Sequence, residues 1–225
     1  MRVLILGDGL LGSEIVKQTE WDYMSRKKDG IEVLYFNDWM TKLSEYDVIV
    51  NCIANTNTYS EDKENHLELN YHFVKDLVTY CNYSDKKLVH ISTDYIYANS
   101  NNERKEIDVP VHHCSWYGYS KLLGDAHVEM ESHNHLICRL SHKPTPFPYD
   151  SAWGDVITNA DYTPKIVNLL VNLINLGKLG TYNVGTGKKT ILDLALQTKK
   201  VKSIKSPKET PKDVTMNTDK LNKIL

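Results

Sequence analysis

An apolar run from Arg2 to Leu6 leads directly into Gly7-Asp8-Gly9-Leu10-Leu11-Gly12, and an apolar-periodic stretch through Ile15 and Val16 follows. This order of strand, glycine turn and helix constrains the fold more than anything else in the chain. A glycine at position 7 permits a tight turn, one at 9 lets backbone approach a pyrophosphate, and one at 12 allows a helix to pack closely on a sheet. The phosphates of a dinucleotide would then meet the first turn of the helix, where unpaired N–H groups and the helix dipole favour anions. Gly7, Gly9, Leu10, Leu11 and Gly12 are therefore candidate cofactor-binding residues.

A second constellation lies near the middle of the chain. The short apolar strand expected over Leu88 to Ile91 would deliver Thr93 to a sheet edge, and a helix beginning near Ser115 would put Tyr117 and Lys121 four residues apart on one face. Such a trio can reduce a ketone. A phenol donates a proton to the oxygen that becomes negative as hydride arrives, an ammonium favours the phenolate left behind, and a hydroxyl orients the carbonyl.

Strand and helix patterns alternate along the rest of the chain. Strands are expected at Ile31 to Phe36, Asp47 to Asn51, Leu88 to Ile91, His135 to Cys138 and Tyr182 to Gly185, with residues 21–30 solvated. Asn65 to Asn82 carries Leu69, Phe73, Leu77 and Tyr80 on one helical face, and Tyr117 to Met130 and Thr163 to Leu176 also read as helices. The fold class that follows is α/β, a Rossmann-like doubly wound parallel sheet with a small C-terminal substrate-binding region. Residues 1–140 form the expected dinucleotide-binding core, 141–162 a substrate loop, 163–185 a helix and strand returning to the core, and 186–225 the small C-terminal substrate region. Three prolines at 144, 146 and 148 exclude a helix interior or central strand from the loop.

The 27 Lys and Arg balance 29 Asp and Glu to a formal charge of -2, so no basic field favours nucleic acid. The longest apolar stretch, Ile166 to Leu179, is broken by Asn168, Asn172 and Asn175, and falls short of a membrane span. A soluble, cytoplasmic protein is expected, without nucleic-acid or membrane partners. Cys52, Cys81, Cys114 and Cys138 are too scattered to hold a metal, and the pairs His112-His113 and His133-x-His135 have no acidic or cysteine companions, so no metal site is expected.

Taken together, Gly7 to Gly12, Val50-Asn51-Cys52-Ile53-Ala54, Asn70, Ser92-Thr93-Asp94-Tyr95, Tyr117 with Lys121, Arg139-Leu140-Ser141, Tyr182 to Gly185 and Asn217 to Leu221 give a specific order. The chain resembles the extended short-chain dehydrogenase/reductase family, in the branch of dTDP-4-dehydrorhamnose reductases and related nucleotide-sugar reductases. The resemblance implies that Thr93, Tyr117 and Lys121 are catalytic, that Lys121 also holds the nicotinamide ribose and lowers the tyrosine pKa, and that Asn70 completes a proton relay. It further implies that Ile53, Ala54 and Ser141 cradle NAD or NADP, between which the expected strand end Tyr35-Phe36-Asn37 makes no choice.

The substrate implied is a nucleotide-diphosphate-sugar carrying a 4-keto-6-deoxy unit, with a homodimer left open. Asp94, Tyr95, His142, Lys143, Phe147 and Trp153 are expected to meet it, the flat rings against base or sugar and the charges of His142 and Lys143 against diphosphate. Dehydratases of the superfamily carry an Asp-Glu pair after the threonine, whereas this chain has Asp94-Tyr95. Reduction is therefore expected over dehydration. A nucleotide-sugar epimerase and a non-catalytic, cofactor-bound regulatory subunit are the alternatives. The glycine spacing is one residue shorter than the family's Gly-x-x-Gly-x-x-Gly, and the chain is shorter than the usual member, so a compact sugar site is expected.

Overall fold

A computed structural model describes residues 1–98, 104–108 and 115–225. Its centre is a six-stranded sheet in which every pairing is parallel. The strands are β1 (Val3–Leu6), β2 (Asp22–Met24), β3 (Val48–Asn51), β4 (Lys87–Thr93), β5 (His135–Leu140) and β6 (Gly180–Val184), in the spatial order β6-β5-β4-β3-β1-β2. Helix α1 (Leu10–Thr19) follows β1, and α2 (Lys63–Leu67) and α3 (Phe73–Tyr83) lie between β3 and β4. Helix α4 (Trp116–Glu131) precedes β5, and α5 (Thr163–Asn175) precedes β6.

Parallel strands need covering on both faces, which explains why β1 and β3 are buried at every residue. One face carries Ile15 of α1 with Ile166, Leu170 and Leu173 of α5, and the other carries Phe73, Leu77 and Cys81 of α3 with Phe36, Trp39 and Leu43. The chain leaves β1 for β2 on one side and returns to β3 on the other, so the strand order reverses at β1. A crevice opens at such a point beyond the carboxyl ends of the strands.

The second strand differs from expectation. β2 is Asp22–Met24, inside the stretch expected to be solvated, while Val33–Tyr35 is a 3-10 turn and Phe36–Trp39 a helical turn. Phe36, Trp39 and Leu43 are buried at helical spacing, the two rings meet edge-on at 4.9 Å, and the Trp39 indole donates to the Glu32 carbonyl. Burial at intervals of three and four therefore overrides the β-like composition of the segment. β2 is held instead by pairing with β1 and by the Gly7 N–H, which donates to the Met24 carbonyl.

Residues 141–162 form a series of short pairings rather than an open loop. His142–Lys143 pairs with Asp161–Tyr162, Ser151–Trp153 with Lys202–Ile204, and Ile157–Thr158 with Lys189–Thr190. A separate apolar cluster of Phe147, Ala152, Val156, Tyr162, Ile191 and Leu194 lies beneath them. No helix among the described residues is long and apolar enough to cross a membrane.

Candidate active site

The turn after β1 is built as its glycines demand. Gly7 has φ +97°, a left-handed conformation that favours glycine, and a Cβ at Gly12 would come within 2.0 Å of the Gly7 carbonyl oxygen. Gly9 caps α1 without a side-chain hydrogen bond, and no acidic residue occupies the first turn. Unsatisfied N–H groups at that helix end face a cavity of about 420 Å³ lined by Gly9, Leu10, Leu11 and Gly12. This is a cradle suited to the pyrophosphate of a dinucleotide. A Cβ on Gly9 meets nothing within 4 Å. We expect Gly9→Val to keep its thermal unfolding midpoint while losing dinucleotide affinity, and unchanged affinity in a calorimetric titration would refute the placement.

The same cavity is lined by Thr93, Tyr117, Lys121, Ala54, Ser141, His142 and Lys143. Ser115 caps α4 by accepting from the Gly118 N–H, which fixes the start of the helix that presents Tyr117 and Lys121. The Tyr117 phenol bonds the Thr93 side chain, and burial drives its pKa up to about 12, with the Thr93 contact working against that rise. The Lys121 ammonium donates to the Ile91 carbonyl at 2.6 Å. Burial lowers its pKa to about 8, while Asp125 and Cys52 oppose the fall. The Tyr117 pKa is thus set by burial and the Thr93 contact, with the Lys121 ammonium turned to the Ile91 carbonyl.

Three other expectations need correction. Ile53 does not line the cavity; its side chain backs Gly7, whereas Cys52 reaches the lining through its place at the end of β3. Asn70 does not contact Tyr117 or Lys121. It sits in a π-helical turn, Glu68–His72, with its side chain spent on the Asn55 backbone N–H and carbonyl and on the Ser120 hydroxyl. Its amide holds the loop after β3 against α4. Burial and the neighbouring Lys143 push the His142 pKa down to about 4, away from the charge expected of it, and its ring is tied to the Thr163 hydroxyl at 3.1 Å.

A second cavity of about 600 Å³ adjoins the first, sharing Thr56, Ser141 and Lys143 with it. Asp94, Tyr95, Phe147 and Trp153 line it, as do Tyr59, Thr158, Ile204, Thr210, Pro211 and Val214. Phe147 is only 2% exposed and belongs chiefly to the apolar cluster beneath. The contributions of Tyr59, Thr158 and the 204–214 segment carry no motif, and only folding brings them together. Asp94 is buried between Thr93 and Thr158, and burial lifts its pKa to about 7 against the charge of Lys143. Among the described residues no group of three or more His, Cys, Asp or Glu could hold a metal ion; His112, His113 and Cys114 lie outside them.

The model of the RmlD substrate binding domain family matches residues 1–142, more than half of the chain. The chain belongs to this family. No curated protein matches it. Among solved structures, a hypothetical dTDP-4-dehydrorhamnose reductase from Sulfolobus tokodaii is 23% identical, with a TM-score of 0.84 over 100% of this chain and 95% of that one. The dTDP-4-dehydrorhamnose reductase of Bacillus anthracis, in complex with NADP, is 22% identical with a TM-score of 0.84 over 100% and 93%. The Bordetella bronchiseptica enzyme WbmG, in complex with NAD and UDP, is 16% identical with a TM-score of 0.81 over 100% and 88%. At these identities the likeness establishes the Rossmann-like fold.

Proposed function

We propose that this RmlD-family protein reduces the keto group of a nucleotide-diphosphate-sugar, of the 4-keto-6-deoxy class, with hydride from a reduced nicotinamide dinucleotide. The observation that carries the reading is the convergence of Thr93, Tyr117 and Lys121 on the cavity that the glycine turn opens. Bound there, the dinucleotide supplies hydride. Thr93 orients the carbonyl, Tyr117 gives its proton to the oxygen as charge develops, and Lys121 stands beside the phenolate that remains. The larger cavity has room and flat faces for the sugar and base. Supplying dTDP-4-dehydrorhamnose and related 4-keto nucleotide-sugars with NADPH, and following both loss of NADPH absorbance and product mass, tests the proposal. No gain of two hydrogens by any member of the panel would sink it.

The shift of β2 bears on cofactor choice. Ser25, Arg26 and Lys27 follow directly on its end, beside the glycine turn, and Ser25 donates to Asp8 at 2.9 Å. An exposed arginine at the end of this strand suits the 2′-phosphate of NADP. Charge-assisted hydrogen bonds are each worth about 1.5–3 kcal/mol, so we expect Arg26→Ala with Lys27→Ala to weaken NADPH by about tenfold or more. NADH affinity should stay where it is. Equal losses for the two cofactors, read by fluorescence titration, would remove the basis for an NADP preference.

A further inference from the structure

We propose that Lys143 is a second cation at the reacting end of the site, stabilising the negative charge that develops on the substrate carbonyl oxygen; this rests on the reductase reading. Lys143 lines both cavities, and thus stands on the wall between the hydride-transfer residues and the sugar space. Its ammonium makes no hydrogen bond and no ion pair within 4 Å among the described residues; the residue is half-buried, and burial lowers its pKa while the Asp94 charge opposes the fall. The carboxyl that faces it is Asp94, itself occupied by the Thr93 and Thr158 hydroxyls. Lys121, the other cation of the smaller cavity, already gives one ammonium hydrogen to the Ile91 carbonyl.

Two anions compete for such a cation. A diphosphate hangs from C1 of a pyranose, across the ring from C4, and so lies out in the larger cavity when C4 is beside Tyr117. Lys143 lines the larger cavity too, but it shares the smaller one with Thr93 and Tyr117, the space that C4 would enter. As hydride joins the carbonyl carbon, the C=O π pair moves onto oxygen, and the Tyr117 proton then completes the hydroxyl. Lys143 keeps its own protons throughout and contributes charge alone. Tyr117 is a weak acid here, so an added positive charge near the oxygen has the most to offer before the proton arrives.

Lys143→Met, which keeps length and removes charge, is compared with Lys143→Arg and Lys143→Gln, all checked for wild-type unfolding midpoints. With dTDP-4-dehydrorhamnose and NADPH, we expect Lys143→Met to lower kcat by about a hundredfold with little change in KM, while Arg restores much of the loss. The isotope effect with NADPH deuterated at the transferred hydrogen should rise to its full value, since hydride transfer becomes rate-limiting. A raised KM with kcat intact would overturn the proposal and assign Lys143 to the diphosphate.

A second readout needs no sugar. A cation beside the nicotinamide disfavours its oxidised, positive form, so Lys143→Met should narrow the gap between NADP+ and NADPH affinities by about fivefold. An unchanged gap in both Met and Gln variants overturns the placement. A gap that narrows in Lys143→Met, when the wild type reduces no keto-sugar, keeps Lys143 at the reacting end and overturns the reductase reading instead.

Discussion

Replacing Tyr117 by Phe should lower kcat by about 10²–10⁴-fold while leaving dinucleotide binding almost unchanged. On the proposed mechanism the hydroxyl, which bonds Thr93, donates its proton chiefly in the transition state, so its loss is felt in turnover and hardly in the ground state. The ring itself stays packed, lying 5.8 Å from Tyr95 and 6.4 Å from His66, which preserves the shape of the cavity. Steady-state kinetics with each ligand varied separately decides the matter. Full activity in Tyr117→Phe would mean that another group supplies the proton.

The largest effect on stability is expected one helical turn beyond Lys121. Asp125 is 2% exposed, accepts from the Arg139 guanidinium at 3.0 Å and lies 3.5 Å from the His90 ring. Arg139 in turn reaches the Tyr97 hydroxyl, and Tyr97 bonds Asn183 of β6, so the network ties the end of α4 to the far edge of the sheet. Asp125→Ala would leave Arg139 buried without its counter-charge, a loss of about 3–5 kcal/mol in urea unfolding. Changing Arg139 to Met in the same chain should recover most of that loss, and strictly additive losses would argue against the pairing.

Acid titration offers an independent check on the same pair. Burial would raise the Asp125 pKa, but the His90 ring and Arg139 charge overcome it and hold the value down to about 2, below the ordinary 3.8. A carboxylate depressed in the folded state contributes its stability above its unfolded pKa, and that share fades as pH falls from about 4 towards 2. The wild type should therefore lose stability over this window more steeply than Asp125→Ala. Parallel pH profiles would contradict the assignment. Because Asp125 also supports the charge of Lys121, the variant should lower the lysine pKa further.

The glycine turn between β1 and α1 was legible from local sequence because it depends on local geometry. Three glycines at fixed spacing, a strand before and a helix after leave few folds to choose from, and Tyr117 and Lys121 share a helical face whatever surrounds them. The errors arose where tertiary packing decides. Asp22-Tyr23-Met24 is too short to show any period, and Phe36 and Trp39 turn helical because they fit a pocket against Phe73. Asn70 sits in a π turn that gives its amide to Asn55 and Ser120, contacts that no local pattern announces. The larger cavity was the least legible of all, since Tyr59, Thr158 and Val214 come from three distant segments.

The pairing of Lys202–Ile204 with Ser151–Trp153 gives the molecule a temporal order. Everything that lines the smaller cavity is contained in residues 9–143, whereas the sugar space borrows its outer wall from residues 191–214. On a ribosome the residues of the dinucleotide pocket emerge before that wall has been translated, and domains generally fold as they emerge. The same separation acts over evolutionary time. Substitutions in the late segment can reshape the larger cavity while the lining of the smaller one, encoded upstream, stays untouched.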